Sequence, residues 1–318
     1  MAYRPLNSHE MKFKRSPLPT LRPKFADKVR WRMARDRNLL FLTIQDKYRV
    51  RDYAAKRSVK TAELLYVTQN PRTIPFKTLP DSYFIKGAHG WGWNILCLQG
   101  NFYYFKNGIE IVDTDGTLKD ICADNKHQLT QDEVIALCTE WMSNKHRAKE
   151  WAYQHIEPNI IVEALLTPLN DTELKDYRMY TFHGVVRAIN IGSARFRRDA
   201  CNIFFDRDWN EFELTRYQEA RPESSPSRPK RLDEMLAVAE RLGAGLDFAR
   251  IDLYDTTDGI LLGEMTIYPE GGGINSPTIC PAFNHWLGNQ WKLGWRKSCE
   301  AFLLSLRKLR GRNKKKAA

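Results

Sequence analysis

The sequence predicts an α+β chain with largely antiparallel sheets. Two features carry that expectation: short apolar runs that alternate with period two, "SYFIKGA" and "WNILCLQGNFYYF" among them, and intervening stretches whose apolar residues recur at helical spacing. A third is that consecutive strand-like runs are joined by short turn signals, as in "TFHGVV" and "LYDTTDGILL", so that neighbours in sequence pair as hairpins.

In chain order, residues 1–24 read as an irregular basic arm, and 25–57 carry helical spacing that breaks near "NLLFLTIQD". "ELLYVTQN" and "SYFIKGA" follow as short strands bounded by the "NP" and "LPD" turns, and "WNILCLQGNFYYFKNGIEIV" continues as aromatic-rich strand. From Asp132 to Trp151 the spacing of Val134, Leu137, Cys138 and Trp141 predicts an amphipathic helix, and "NIIVEALL" a buried strand. "DYRMYTFHGVVRAINIG" reads as a hairpin turning at His183 and Gly184, whereas "EARPESSPSRPKR" breaks both periodicities and is the clearest loop. Leu232, Met235, Leu236, Ala239 and Leu242 then share a helix face, before a strand, turn and strand over "DFARIDLYDTTDGILLGEMTIY". There is no internal repeat.

Composition excludes several classes. With 42% apolar and 28% charged residues in 318, the chain can build a large core and is not disordered throughout. Its longest apolar runs fall far short of the roughly 20 residues of a membrane-spanning helix. "MAYRPLNSHEMKFKRS" offers no apolar core for a secretory signal, so a cytoplasmic protein is expected. Cys97, Cys122, Cys138, Cys201, Cys280 and Cys299 lie far apart without zinc-binding spacing and read as reduced, mostly buried thiols. The formal charge of +12 favours anionic partners, and much of the excess sits at the two ends. The closing "LRKLRGRNKKKAA" reads first as a solvated tail; peripheral contact of the basic termini with an anionic membrane is the second reading.

The hairpin at 248–267 is the most informative stretch. Ala249, Ile251, Leu253, Leu261, Gly263, Met265 and Ile267 fall on one parity, a core face, and Arg250, Asp252, Glu264 and Thr266 on the other. An even register across the turn brings Asp252 and Glu264 together, which is unfavourable unless a cation or proton is shared, and oxygen ligands of this kind suit magnesium. On the hairpin alone, a solvent-facing strand with ordinary charges is the simpler reading. "FIKGAHGWGWN", residues 84–94, is the complementary piece: glycines allow backbone N–H groups close to a phosphate, and Lys86 adds a positive charge. It matches neither the P-loop nor the G-x-G-x-x-G signature, and its structural alternative is a tight turn in which Trp91 and Trp93 pack.

Taken in order, "QDKYRVRDYA", "YFIKGAHGWGWN", "IIVEALL", "DYRMYTFHG" and "ARIDLYDTTDGILLGEMTIYPEGGG" resemble the ATP-grasp superfamily. Within it they are similar to the TupA-like branch associated with teichuronopeptide and other surface-polysaccharide biosynthesis, over about Phe25 to about Trp286. The resemblance implies an α+β ATP-grasp fold, in which two subdomains with mostly antiparallel sheets grip ATP. The implied divisions are a basic arm (1–24), a lead-in (25–70), a small subdomain with a Gly-rich flap (71–160), a C-terminal subdomain with the metal hairpin (161–305) and a basic tail (306–318).

By position, the resemblance implies that Lys47 and Lys86 are the two nucleotide-binding lysines, the second reaching the phosphates. Gly87 to Gly92 correspond to the flap over the triphosphate, with Gly90 inside it and His89 a minor candidate that is more often structural. Glu163 opens the hinge whose backbone at Ala164 and Leu166 recognises adenine, and Arg178 faces the phosphates or the acyl group. Asp252 and Glu264 correspond to the carboxylates of a two-magnesium site, with Arg250 as an anion-binding arginine beside them. Thr266 stands at a last metal position where the wider superfamily often has Asn, and Trp91 and Trp93 are bulkier than the usual flap residues.

The implied activity is ATP- and Mg-dependent carboxylate–amine ligation through an acyl phosphate, with Lys86, Arg178 and Arg250 as catalytic residues. Its partners are a small-molecule or glycan carboxylate and an amine or amino acid. A kinase-like phosphotransferase with the same nucleotide site is the first alternative. A non-catalytic polyanion or nucleic-acid binder, exploiting the charge and the nine tryptophans, ranks last, because the basic residues concentrate at the termini.

Overall fold

Two six-stranded sheets organise the chain in the computed structural model, which describes residues 23–104, 128–144, 149–169, 174–193, 201–212, 214, 225–273 and 281–304. Strands are numbered along the chain. The larger-core sheet runs β1 (Lys60–Thr61), β12 (Gly259–Thr266), β11 (Phe248–Thr256), β8 (Asp176–Phe182), β9 (Val185–Ser193) and β10 (Cys201–Phe205). Only its β1–β12 pair is parallel. The second sheet runs β2 (Leu64–Thr68), β7 (Ile160–Ala164), β3 (Tyr83–Gly87), β4 (Asn94–Leu98), β5 (Asn101–Tyr104) and β6 (Gln128–Leu129), all antiparallel. The expected α+β class with antiparallel sheets is therefore what the chain forms. The strand Ile160–Ala164, which a division at 160/161 assigns almost whole to the C-terminal part, lies inside the second sheet between β2 and β3.

The helical spacing of 25–57 resolves into α1 (Phe25–Arg35), α2 (Leu40–Gln45) and α3 (Val50–Ala55). Helix α1 packs Phe25 edge-on against Phe182 and Phe248 of the first sheet, at ring-centre separations of 6.0 and 4.9 Å. Arg32 of α1 is completely buried. It donates to the Phe248 carbonyl at 2.9 Å, pairs with Asp247 and lies 4.2 Å over the Trp291 ring. Burial depresses its pKa, and Asp247 and Asp36 oppose that depression.

Between β6 and β7, α4 (Gln131–Ser143) begins with a capping box, Thr130 accepting from the Glu133 N–H while Glu133 accepts from the Thr130 N–H. It seats Val134, Cys138 and Trp141 on Ile85, Ile95, Ile160 and Val162. The helix stops at Ser143, short of the expected Trp151, because Asn144 turns extended. Helix α5 (Leu232–Gly243) presents the expected face of Leu232, Met235, Leu236, Ala239 and Leu242 to the first sheet, and α6 (Pro281–Gln290) and α7 (residues 295–304) follow. The β8–β9 hairpin turns where expected: His183 and Gly184 both take positive φ, 52° and 77°, as a two-residue turn between twisted strands requires. Residues 105–127, the first six residues (219–224) of the Pro/Ser loop and nearly all of both basic ends lie outside the described residues, as do Cys122 and Cys280. Cys97 and Cys138 are buried free thiols and Cys299 is an exposed one.

Candidate functional site

The polar parity of the late hairpin forms a charged face on the first sheet. Asp252 on β11 stands directly opposite Glu264 on β12 and Arg178 on β8, and Arg250 stands opposite Thr266 and Tyr180. The even register holds up to a bulge after Asp252, where Leu253 pairs with Leu262 and Gly263 is the extra residue. Any side chain at Gly263 would meet the Tyr254 ring 2.5 Å from its Cβ, so only glycine fits there. The bulge confines the period-two argument to the end of the hairpin that carries the charges.

That face is not the solvent-facing strand the hairpin alone suggests, because Asp252 is only 3% exposed. Arg250 closes a fork on it, Nε to Oδ1 at 2.8 Å and Nη2 to Oδ2 at 2.6 Å, and Nη2 also donates to Glu264 Oε1 at 2.9 Å. The Thr266 hydroxyl donates to the same Glu264 oxygen at 2.9 Å. Desolvation pushes the Asp252 pKa up to about 6, with Arg250 opposing and Glu264 reinforcing the rise. Desolvation also works against the charge of Arg250, but Asp252 and Glu264 outweigh it and hold its pKa above the ordinary value. Beside them Arg178 donates to Asn190 Oδ1 and to Asp176 Oδ2, both at 3.0 Å.

The second sheet contributes another charged group. Lys86 on β3 and Glu163 on β7 share a face, and the ammonium meets Glu163 Oε2 at 2.6 Å, while Arg51 of α3 donates to the other oxygen at 2.7 Å. Glu163 thus acts through its side chain as the counter-ion of two cations, beyond the backbone hinge role the resemblance implies. The Ala164 N–H donates to the Glu63 carbonyl at 3.0 Å, so an adenine edge recognised in this segment needs other backbone groups; Leu166 follows just beyond the strand end.

The glycine loop splits its two tryptophans. Trp93 stacks on Trp141, with rings 8° from parallel and 6.0 Å apart, and it covers Gly87 so closely that a Cβ there would lie 2.8 Å from its ring. Trp91 stays 39% exposed. Gly92 takes φ 74° in the turn. The His89 ring is buried against Trp93 and hydrogen-bonds the Trp141 carbonyl at 2.9 Å, and burial lowers its pKa. His89 thus packs into the loop, in line with the structural reading of it.

Lys47 joins the two halves. It lies between α2 and α3, after Gln45, whose amide accepts from the Ile267 N–H at 3.1 Å just past β12. Its own N–H donates to the Ala88 carbonyl at 3.1 Å, and its ammonium donates to the Gly90 carbonyl in the glycine loop. Desolvation lowers its pKa; Glu264 from the first sheet and Glu163 from the second raise it, and Lys86 lowers it further. Glu264 of the late hairpin, Lys86 and Glu163 are thus within electrostatic reach of one ammonium group. Arg51, Asp176 and Asn190 join the same constellation without having been singled out in the sequence. Arg51 stands four residues after Lys47, and Asp176 shares parity with Arg178, which are the signals that could have found them.

The sequence matches the model of the TupA-like ATP-grasp family over residues 27–292. The chain belongs to the TupA-like ATP-grasp family. Its two mostly antiparallel sheets are accordingly the two halves of an ATP-grasp fold. Structural likenesses include the ATP-grasp ligase PsnB complexed with a minimal precursor, at 15% identity and a TM-score of 0.38, covering 79% of this chain and 61% of that one. N5-carboxyaminoimidazole synthetase from Staphylococcus aureus complexed with ADP shares 11% identity at a TM-score of 0.41, covering 79% and 53%. D-alanine–D-alanine ligase from Bacillus anthracis complexed with ATP shares 9% at 0.41, covering 84% and 67%. The chain thus spans about half to three fifths of the first two proteins. No curated protein matches the sequence significantly.

For the magnesium that the family implies, the chemistry of the donor set is the test. Among the described residues no group of three or more His, Cys, Asp or Glu side chains is gathered for a metal. Two carboxylates and a hydroxyl on adjacent strands, already balanced by a guanidinium cation, are nevertheless hard oxygen donors of the number magnesium takes when water and phosphate complete its shell. The residues fit.

Proposed function

We propose that this protein is an ATP- and Mg-dependent carboxylate–amine ligase that forms an amide through an acyl phosphate, in the cytoplasm, in the assembly of a surface polysaccharide or peptide-modified glycan. The observation that carries the reading is the position of Lys47, whose ammonium bonds the glycine loop while lying in the fields of Glu264, Lys86 and Glu163. Asp252, Glu264 and Thr266 would hold magnesium, which when bound supplies positive charge to the phosphate oxygens.

The chain's own side chains divide the remaining work. Lys47 and Lys86 neutralise the phosphates, and the glycine loop offers backbone N–H groups at close range. Arg250 and Arg178 face the reacting end and orient the substrate carboxylate, which attacks the γ-phosphorus in line and releases ADP. An amine then adds to the acyl carbon and expels phosphate, with Arg250 stabilising the oxyanion that develops. Glu163 and Asp176 hold Lys86 and Arg178 by ion pairs at 2.6 and 3.0 Å and fix where their charges sit.

The deciding experiment measures ADP and free phosphate while pools of carboxylates and amines are supplied separately and together. Release of both products only when a carboxylate and an amine are present is expected. A stable phosphorylated acceptor would replace the ligase by a phosphotransferase, and salt-sensitive polyanion binding without nucleotide turnover would remove the enzymatic reading altogether.

A further inference from the structure

Helix α7, far from the nucleotide site in sequence, docks by one face only. Ala301 is fully buried, Glu300 accepts from the Trp31 indole N–H at 2.9 Å, and the Lys297 ammonium sits 5.5 Å over the Trp31 ring. At 100° per residue these positions centre on one side of the helix, and Trp295, Cys299 and Leu303, spaced four apart, line the opposite side. Trp295 is 74% exposed and Leu303 55%. Isolated exposed apolar residues are ordinary on a protein surface, but a tryptophan and a leucine on one helix stripe, two turns apart, call for a partner.

Charge identifies the partner. Seven of the fourteen residues 305–318 are Lys or Arg and none is Asp or Glu, and Arg296 and Lys297 lie on α7 itself. The arm at 1–22 carries five basic residues and one acidic one, so it is repelled by this end of the chain, as is a second copy presenting the same face. A dissolved polyanion would satisfy the lysines and arginines but leave Leu303 in water. A surface that offers anionic headgroups and hydrocarbon within a few ångströms satisfies both. No helix among the described residues is long and apolar enough to cross a membrane, so contact through α7 would be interfacial.

We propose that α7 and the basic residues following it form a peripheral docking site for an anionic lipid surface, with Trp295 and Leu303 as the inserted side chains. The test is flotation of the full chain with vesicles of phosphatidylcholine alone and of phosphatidylcholine mixed with phosphatidylserine. Wild type should float with the anionic vesicles only, and less as salt rises. W295S/L303S should lower the partition coefficient by roughly ten- to a hundred-fold, and K314Q/K315Q/K316Q should lower it at low salt and make its salt dependence shallower than that of wild type. Both residues are exposed, so these variants keep the fold. Failure of wild type to float with anionic vesicles overturns the proposal, as does equal flotation of W295S/L303S, which would mean charge alone is read. A dimer that W295S/L303S converts to monomer in sedimentation also overturns it, by giving the face to a second copy.

Discussion

Replacing Arg250 by methionine is the most direct probe of the charged face. Methionine keeps much of the apolar stem and removes the fork that holds Asp252 at 2.8 and 2.6 Å and Glu264 at 2.9 Å. Two carboxylates then face each other across β11 and β12 without the guanidinium that bonds both. Leaving a buried charge unpaired costs about 3–5 kcal/mol. Asp252, at 5% side-chain exposure, carries nearly all of that; Glu264, at 34%, is screened by water and contributes at most about 1 kcal/mol. A total near 3–4 kcal/mol, at roughly 2–3 °C per kcal/mol for a chain of this length, lowers the melting temperature by about 6–12 °C at pH 8. Arg250 holds the wild-type Asp252 pKa down at about 6, so in the variant Asp252 takes up its proton at higher pH and the deficit should shrink as the pH falls from 8 towards 6. Magnesium should recover part of it in the variant, about 1.4 kcal/mol at ten times its dissociation constant. Differential scanning fluorimetry with and without magnesium, at pH 5 and pH 8, reads all of this. An R250M melt that overlays wild type in every condition would show that Arg250 does not neutralise this pair, and the reading of the face as a cation site would go with it.

Asp46 gives an independent pH test. Its Oδ1 accepts from the Tyr48 N–H at 2.8 Å, its other oxygen is buried without a hydrogen bond, and desolvation pushes its pKa from 3.8 to about 6. An acid with a raised folded pKa loses stability as pH rises from the unfolded to the folded value, so D46N, which keeps an acceptor for the Tyr48 N–H, should gain on wild type between about pH 4 and pH 6, by up to about 3 kcal/mol in chemical denaturation. K86M should weaken binding of a non-hydrolysable ATP analogue by roughly ten- to a hundred-fold in calorimetry, while moving the melting temperature little because its pair with Glu163 is partly exposed. G87A forces its Cβ against the Trp93 ring and should cost about 1–3 kcal/mol in urea unfolding, with W93A relieving part of that loss in the double variant.

Period-two alternation puts Asp252 and Glu264 on the polar parity of their own strands, but the bulge at Gly263 brings them opposite each other, since the turn itself pairs Thr256 with Gly259. What parity cannot give is depth. Whether Arg250, Asp252 and Glu264 face water depends on neighbours such as Arg178 on β8 and the α2 segment beside β12, and those contacts join residues far apart in sequence. Lys47 shows the same limit. Nothing local distinguishes it from a surface lysine, and its meaning comes from Gln45 and Ala88 tying its segment to both sheets. His89 shows the limit from the other side: its setting between glycines admits a phosphate loop as well as a structural histidine, and the contact with Trp93 and the bond to the Trp141 carbonyl become visible only in the fold.

Four cations of the site already have an anion in contact: Lys86 and Arg51 have Glu163, Arg178 has Asp176, and Arg250 has Asp252 and Glu264, while Lys47 bonds the Gly90 carbonyl. Binding is therefore an exchange of partners. If magnesium takes Asp252 and Glu264, Arg250 is left as a buried cation until a phosphate or carboxylate accepts it. If a triphosphate draws Arg250 and Lys86 away first, the carboxylates are left unpaired. Either half-bound state carries the penalty of an uncompensated buried charge, about 3–5 kcal/mol, so metal and nucleotide should each tighten the other by the same factor, on the order of a hundred or more. Calorimetry can measure that factor around both arms of the cycle, magnesium with and without the nucleotide analogue and the reverse. R250M should lower it, because the variant has no guanidinium to strand. Independent binding of the two ligands in wild type would mean that these ion pairs are not exchanged on binding, and that the charged face and the glycine loop serve different ligands.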